Sequence, residues 1–181
     1  PVFADGLAKL KALAEANAAG LVAERKARTF LGYTIETVDR PAVTYLGKRQ
    51  TVKWTQLDAL FNATFPAVAQ AATKSGMAIT GHPSALVFKW DTVAHHADLF
   101  AGIPVQADTA ASMDGLLLQT VAAGRALMVP YHGNYDQSEK AHNALGEMMK
   151  AHGLELRDAV IEEYVTDPTT EPDTAKWLTN I

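Results

Sequence analysis

The sequence predicts an α+β fold in which the order strand–helix–strand–strand occurs twice, about 80–90 residues apart, behind an N-terminal helical segment. Three observations predict it. Residues 54–75 and 136–152 are amphipathic stretches of helical period, and each lies between stretches of β character. The first 28 residues are Ala-rich and poor in the β-branched and aromatic residues that favour strands. Two such units can each cover one sheet face with a helix. Their uncovered faces can then meet along a cleft, a usual place for a ligand.

Residues 5–28 read as one helix, or as a pair broken at Gly20, because Leu7, Leu10, Leu13 and Ala14 recur at helical spacing. Lysines and glutamates are mixed on its polar side and large aromatics are scarce, so it reads as a packing or linking helix and not a membrane anchor. From Tyr33 the character turns to β, and Pro41 is tolerable there at an edge or bulge. The 54–75 helix carries the stripe Leu57, Leu60, Phe61, Phe65, Val68, Ala71 and Ala72. Pro66 should kink or break it, and Gly76 should end it. Residues 86–91 alternate, which predicts Leu86, Phe88 and Trp90 on one face. Residues 97–105 form a further strand, 108–123 a less regular crossover, and 125–131 the strand that opens the second unit. Asp136 followed by Glu139 resembles a capping box. The helix it opens has the stripe Ala141, Ala144, Leu145, Met148 and Met149, and ends at Gly153. Residues 159–165 and 177–181 are the last strands. These elements predict a helical extension over 1–35 and a ligand-binding domain over 36–181, with repeats at about 36–107 and 123–181.

Composition narrows the function. The chain has 181 residues, which suits one domain or two small repeats sharing a core. Hydrophobic residues at 48% and charged residues at 20% are those of a folded globular protein. The net charge is −4, so nucleic-acid binding through this segment is not expected. With no cysteine, disulfides, thiolate metal sites and a Cys nucleophile are excluded. His132, His142 and His152 are ten apart and do not align on one helical face, so neither a metal site nor a cofactor is expected. Phosphate loops, nucleophile elbows and dinucleotide fingerprints are missing, which removes the common nucleotide enzymes. No apolar run approaches the roughly 18 residues of a membrane span. A cytoplasmic location follows as the expectation, with room for an upstream targeting segment, domain or partner protein, since the chain opens on Pro1 and not Met.

The residues 160–168 carry the chemistry. Alternation puts Ile161, Glu163 and Val165 on one face and Val160, Glu162 and Tyr164 on the other. Ile161 and Val165 suit a helix-covered face, which predicts Glu162 and Tyr164 on the open, cleft-facing side and Glu163 as a misfit. A carboxylate among apolar and aromatic groups is costly unless paired. Such a Glu can pair with a cationic ligand or shuttle a proton. Tyr45, Phe88 and Trp90 are candidate aromatic walls for a flat or cationic ligand. Tyr131 closes a strand near the expected cleft.

The segments Gly124-Arg125-Ala126, Tyr131-His132-Gly133-Asn134-Tyr135, His152-Gly153-Leu154, Glu162-x-Tyr164-x-x-Asp167-Pro168 and Trp177 are similar, in this order, to the gyrase-inhibitor-like family. That family is the effector-binding domain also found at the C-terminus of AraC- and MerR-type multidrug-responsive regulators. Arg40-Pro41-Ala42, the helix at Trp54 and Ala101-Gly102-Ile103-Pro104-Val105 extend the resemblance over residues 36–181. It implies two pseudo-symmetric βαββ units forming a curved antiparallel sheet pair, with helices on one side and a central ligand cleft. It also implies lipophilic, aromatic or cationic small-molecule ligands, with Glu162 at the position of the pocket acid, Tyr164 beside it and Trp177 at the rim. Some stand-alone members hydrolyse cyclopropane-containing compounds. These residues contain no helix-turn-helix, so a regulator's role needs an upstream segment.

Three functions are consistent with this reading. The leading one is a sensor or sequestering protein that binds small molecules through Glu162, Tyr164, Trp90, Tyr131, Trp177, Phe88 and Tyr45. The second is a hydrolase of strained or electrophilic lipophilic compounds, with Glu162 and Tyr164 catalytic. The third is an inhibitor whose acidic surface covers a basic protein partner.

Overall fold

The computed structural model describes residues 2–106 and 115–181. It opens with α1 (Val2–Ala27), one helix that runs through Gly20, and a small hairpin of β1 (Thr29–Phe30) and β2 (Tyr33–Thr34). Next come β3 (Glu36–Arg40), the long β4 (Val43–Lys53), α2 (Leu57–Lys74) and the short β5 (Ala78–Ile79). The strands β6 (Ser84–Asp91) and β7 (His96–Gln106) complete the first βαββ unit. β8 (Leu117–Val121) and β9 (Gly124–Met128) lead to the second unit, which is β10 (Pro130–His132), α3 (Glu139–His152), β11 (Val160–Tyr164) and β12 (Leu178–Asn180).

The strands form one antiparallel sheet in the order β10-β12-β11-β6-β7-β4-β8, while β3 and β9 form a separate ribbon. Read outward from the middle, β6-β7-β4 repeats β11-β12-β10. The two units therefore join edge to edge at β6 and β11, where Glu162 stands opposite Ala85 and Ile161 opposite Leu86. The expected meeting of two uncovered faces does not occur. Both helices lie on one face of a shared sheet, as the resemblance implies for the two βαββ units.

Packing explains that placement. Leu60, Thr64, Val68 and Ala72, four apart, form the buried line of α2. They press on Leu46, Val87, Leu99, Ala101 and Ile103 of the sheet. Pro66 does not break the helix. It and Asn62, whose carbonyl Pro66 cannot serve, both lie on the exposed side and meet water. The line of α3 is Ala141, Ala144 and Met148, packed on Ile35, Val129, Tyr131 and Ile181. Asp136 does not cap α3 as expected. It lies in a short 3₁₀ turn (Tyr135–Gln137), where its N–H donates to the Asn134 side chain, and Gly153 ends α3 in the left-handed conformation as expected. The opposite sheet face has its own buried cluster of Tyr45, Leu86 and Phe100.

The N-terminal boundary yields a first test. Residues 11–21, 23 and 24 of α1 are exposed, whereas Phe30, Tyr33 and Ile35 pack on the α3 core. A chain starting at Arg28 should melt within about 2 °C of the full chain, as surface changes usually stay within about 0.5 kcal/mol. A chain starting at Glu36 should lose about 3 kcal/mol or more, the scale of deleting buried large side chains. Equal melting of the two truncations would overturn the boundary.

Candidate functional site

The seam between the units places a carboxylate beneath the two helices. Glu162 on β11 faces the helix side, opposite the small Ala85. Its Oε1 lies 2.8 Å from Nε2 of His142, on the flank of α3. Its Oε2 accepts a hydrogen bond of 2.8 Å from the hydroxyl of Tyr164. The Glu162 side chain is 14% exposed and that of His142 21%. Both carboxylate oxygens thus have partners, which is what allows a carboxylate to be buried.

Aromatic rings extend from this acid in both directions. Trp90 stands edge-on to His142 at 6.5 Å, Trp54 edge-on to Trp90 at 6.0 Å, and His95 against Trp54 at 4.9 Å. On the other side Tyr164 meets Tyr135 at 5.3 Å, and Tyr135 meets Trp177 at 4.9 Å. From α2, Phe61 and Phe65 stack on each other and tilt against Tyr164. The Trp177 indole N–H donates to the Glu171 carbonyl, which fixes that ring. Burial, and next the adjacent Glu162, pushes the Tyr164 phenol well above its ordinary range. Burial raises the Tyr135 phenol too, with Asp167 contributing. Both phenols therefore remain neutral at physiological pH, and Tyr164 remains a donor to Glu162.

The strand alternation expected at 160–165 is present, since Glu162 and Tyr164 share a face and Glu163 points away, accepting from the Asn180 side chain at 2.9 Å. The covered face is the reverse of the expected one. α2 and α3 sit over Glu162 and Tyr164, while Ile161 lies on the other face with Leu86 and Phe88. The reason is that both sheet faces are apolar here, so the preference of Ile161 is met without a helix.

A β-bulge between Val87 and Lys89 separates two residues that simple alternation put together. Phe88 remains on the face with Leu86, beneath the Arg49 guanidinium, and lines a cavity of about 340 Å³ there. Trp90 is carried to the helix side beside His142, 38% exposed. Tyr45 also belongs to the opposite face, buried, with its hydroxyl accepting from Arg40. Tyr131 is a core residue beneath α3, 3% exposed, and donates to the Asn134 carbonyl. Of the seven expected ligand residues, then, Glu162, Tyr164, Trp90 and Trp177 come together, and Tyr45, Phe88 and Tyr131 do not. Sequence reasoning did not place His142, Tyr135, Trp54, Phe61 and Phe65 in this group. Tyr135 stood inside a quoted motif, and the two phenylalanines stood in the α2 stripe, where nothing distinguished them from core.

Among the described residues no three His, Asp or Glu side chains converge as a metal site requires, and no helix is long and apolar enough to cross a membrane. A lone, paired carboxylate among aromatic rings is suited to cation recognition through charge and ring faces together.

Comparison with known proteins agrees with this architecture. The fold is that of the EcmrR C-terminal domain, with a TM-score of 0.71 at 20% identity, covering 82% of this chain and 94% of that one. EcmrR in its complex with DNA matches with a TM-score of 0.72 at 18% identity, over 95% of this chain and 65% of that chain, so this chain spans under two thirds of it. SAV2435 bound to tetraphenylphosphonium matches with a TM-score of 0.55 at 9% identity, over 81% of this chain and 90% of that chain. No curated protein matches the sequence. A model of the GyrI-like small molecule binding domain matches residues 33–181, which include both βαββ units and the Glu162 seam, and the chain belongs to that family.

Proposed function

We propose that the chain binds lipophilic aromatic monocations between α2 and α3, as a sensor or sequestering protein, with Glu162 as the charge partner. The observation that carries this reading is a buried carboxylate set at the centre of an arc of aromatic rings. Rings of this kind offer a lipophilic cation both apolar contact and attraction to their faces. The capture of tetraphenylphosphonium by SAV2435, which shares the fold, supports the ligand class. Binding takes precedence over hydrolysis because both Glu162 oxygens are already engaged, Oε1 lying 2.8 Å from His142 Nε2 and Oε2 accepting from the Tyr164 hydroxyl.

The test is titration with tetraphenylphosphonium, followed by calorimetry and by tryptophan fluorescence, since Trp90 and Trp177 border the site. Glu162→Gln keeps the shape and removes the charge. It should weaken binding by about 1.5–3 kcal/mol, the scale of hydrogen bonds to charged groups, or about 10–150-fold. Triphenylphosphine oxide, neutral and similarly bulky, should bind parent and variant alike. Equal affinity of tetraphenylphosphonium for parent and Glu162→Gln would overturn the proposal.

A further inference from the structure

We infer that His142 sets the charge selectivity of this site: it is a built-in counter-cation that holds Glu162 when protonated and yields it to a cationic ligand when neutral. The inference rests on the function proposed above and adds how that site is regulated. The geometry is specific. The imidazole Nε2 lies 2.8 Å from Glu162 Oε1, and both side chains are largely shielded from water. In the neutral form Nε2–H donates one hydrogen bond and leaves the full negative charge on the seam. In the protonated form it makes an ion pair, and an arriving cation meets a site with no net charge. Histidine is the side chain whose ordinary chemistry exchanges these two states between about pH 5 and 8.

The surroundings make His142 the movable partner. Tyr164, the other donor, is held by Phe61 and Phe65 of α2 and by Tyr135. His142 projects from α3 and not from the sheet, and its side chain is 21% exposed, so it is the partner that can leave without disturbing β11. Its departure opens the ring of Trp90, already 38% exposed, to the ligand.

The groups around the imidazole are few. Glu162 faces it from β11 and Trp90 from β6, while Tyr164 bonds to the other oxygen of Glu162. Tyr135, ahead of α3, and Asp58, at the start of α2, act on Tyr164 behind them. His95 lies tilted against Trp54, away from the imidazole of His142. Glu139, one turn earlier on α3, is exposed. Among the described residues Glu162 is the one carboxylate within ion-pair distance of His142.

Tetraphenylphosphonium has no titratable group, so the pH dependence of its binding reports on the protein. Affinity for the parent should rise at least about tenfold from pH 5.5 to pH 8, because protonated His142 must be displaced or deprotonated first. His142→Gln retains a neutral donor. It should bind at all pH values about as tightly as the parent does at pH 8. His142→Lys, a permanent cation, should bind weakly throughout. Calorimetry at pH 6 in buffers of different ionisation enthalpy should show proton release on binding to the parent and none with His142→Gln. A parent affinity flat with pH, or a His142→Gln slope equal to the parent's, would overturn the role of His142 while leaving the cation site intact. Failure of tetraphenylphosphonium to bind parent and both His142 variants at every pH would sink the site assignment, and this inference with it.

Discussion

Replacing Gly47 by alanine should cost the protein about 3 kcal/mol or more and lower its melting temperature by about 6–12 °C. Gly47 on β4 stands directly across from Gly102 on β7, in the middle of the sheet. A Cβ at Gly47 would lie 2.1 Å from the Ala101 carbonyl oxygen and 2.6 Å from both the Gly102 Cα and the Phe100 ring. A Cβ at Gly102 would meet the same ring at 2.6 Å and the Leu46 carbonyl oxygen at 2.8 Å. The two glycines thus form the floor on which Phe100 lies. That ring cannot move aside, because it is 1% exposed and packed against Tyr45 and Leu86. Overpacking of a core typically costs 1–3 kcal/mol. Here the obstacle includes backbone atoms of the two strands that carry the α2 core, so the upper end of that range is a lower bound. Gly20→Ala in α1 is the control, since nothing lies within 4 Å of its added Cβ. A Gly47→Ala protein that melts within 2 °C of the parent would show that β4 and β7 can separate locally, contrary to this packing.

The glycine pair also marks what the sequence makes legible. The repeat could be read because each unit carries a long amphipathic helix, and helical period is a local signal. The sharing of a face by Glu162 and Tyr164 could be read because strand alternation is local too. Which face the helices cover could not. Ile161 packs with Leu86 and Phe88 on the side without helices, and Tyr164 packs with Phe61 and Phe65 beneath them, so neither face is polar enough to betray itself. The separation of Phe88 from Trp90 depends on one bulge, set by pairing with Leu99 and Asp98 on another strand. Tyr131 resembled a cleft aromatic because it ends a strand. Its burial follows from α3 lying over it, with Gly133 making room for its hydroxyl: a Cβ there would lie 2.5 Å from that oxygen. His142 was the least legible. It sits beside the apolar line of α3, and its contact with Glu162 exists only once the seam brings β11 beneath that helix.

Above about pH 10 the protein should lose stability at a rate that Tyr164→Phe reduces by about 1.4 kcal/mol per pH unit. In the folded chain, burial and the neighbouring Glu162 push the Tyr164 phenol well above its ordinary value of about 10. In the unfolded chain that phenol ionises near 10. Between the two values the unfolded state has released a proton that the folded state keeps, so rising pH favours unfolding. The stabilisation is fully present below pH 10 and is lost as pH climbs toward the folded value. Burial raises the Tyr131 and Tyr135 phenols as well, so the slope of the parent includes them, and only the difference from Tyr164→Phe belongs to Tyr164. At pH 7 the variant should be less stable by about 1–3 kcal/mol, because Glu162 Oε2 is left without its donor in a shielded site. Denaturant melts at pH 7, 10 and 11 should therefore show two stabilities that differ at neutral pH and converge in alkali. A gap that stays constant or widens would mean that burial beside Glu162 does not raise the Tyr164 phenol. The same pairing bears on the site: a phenol that keeps its proton across the physiological range continues to donate to Glu162 Oε2 and to hold that side chain in place.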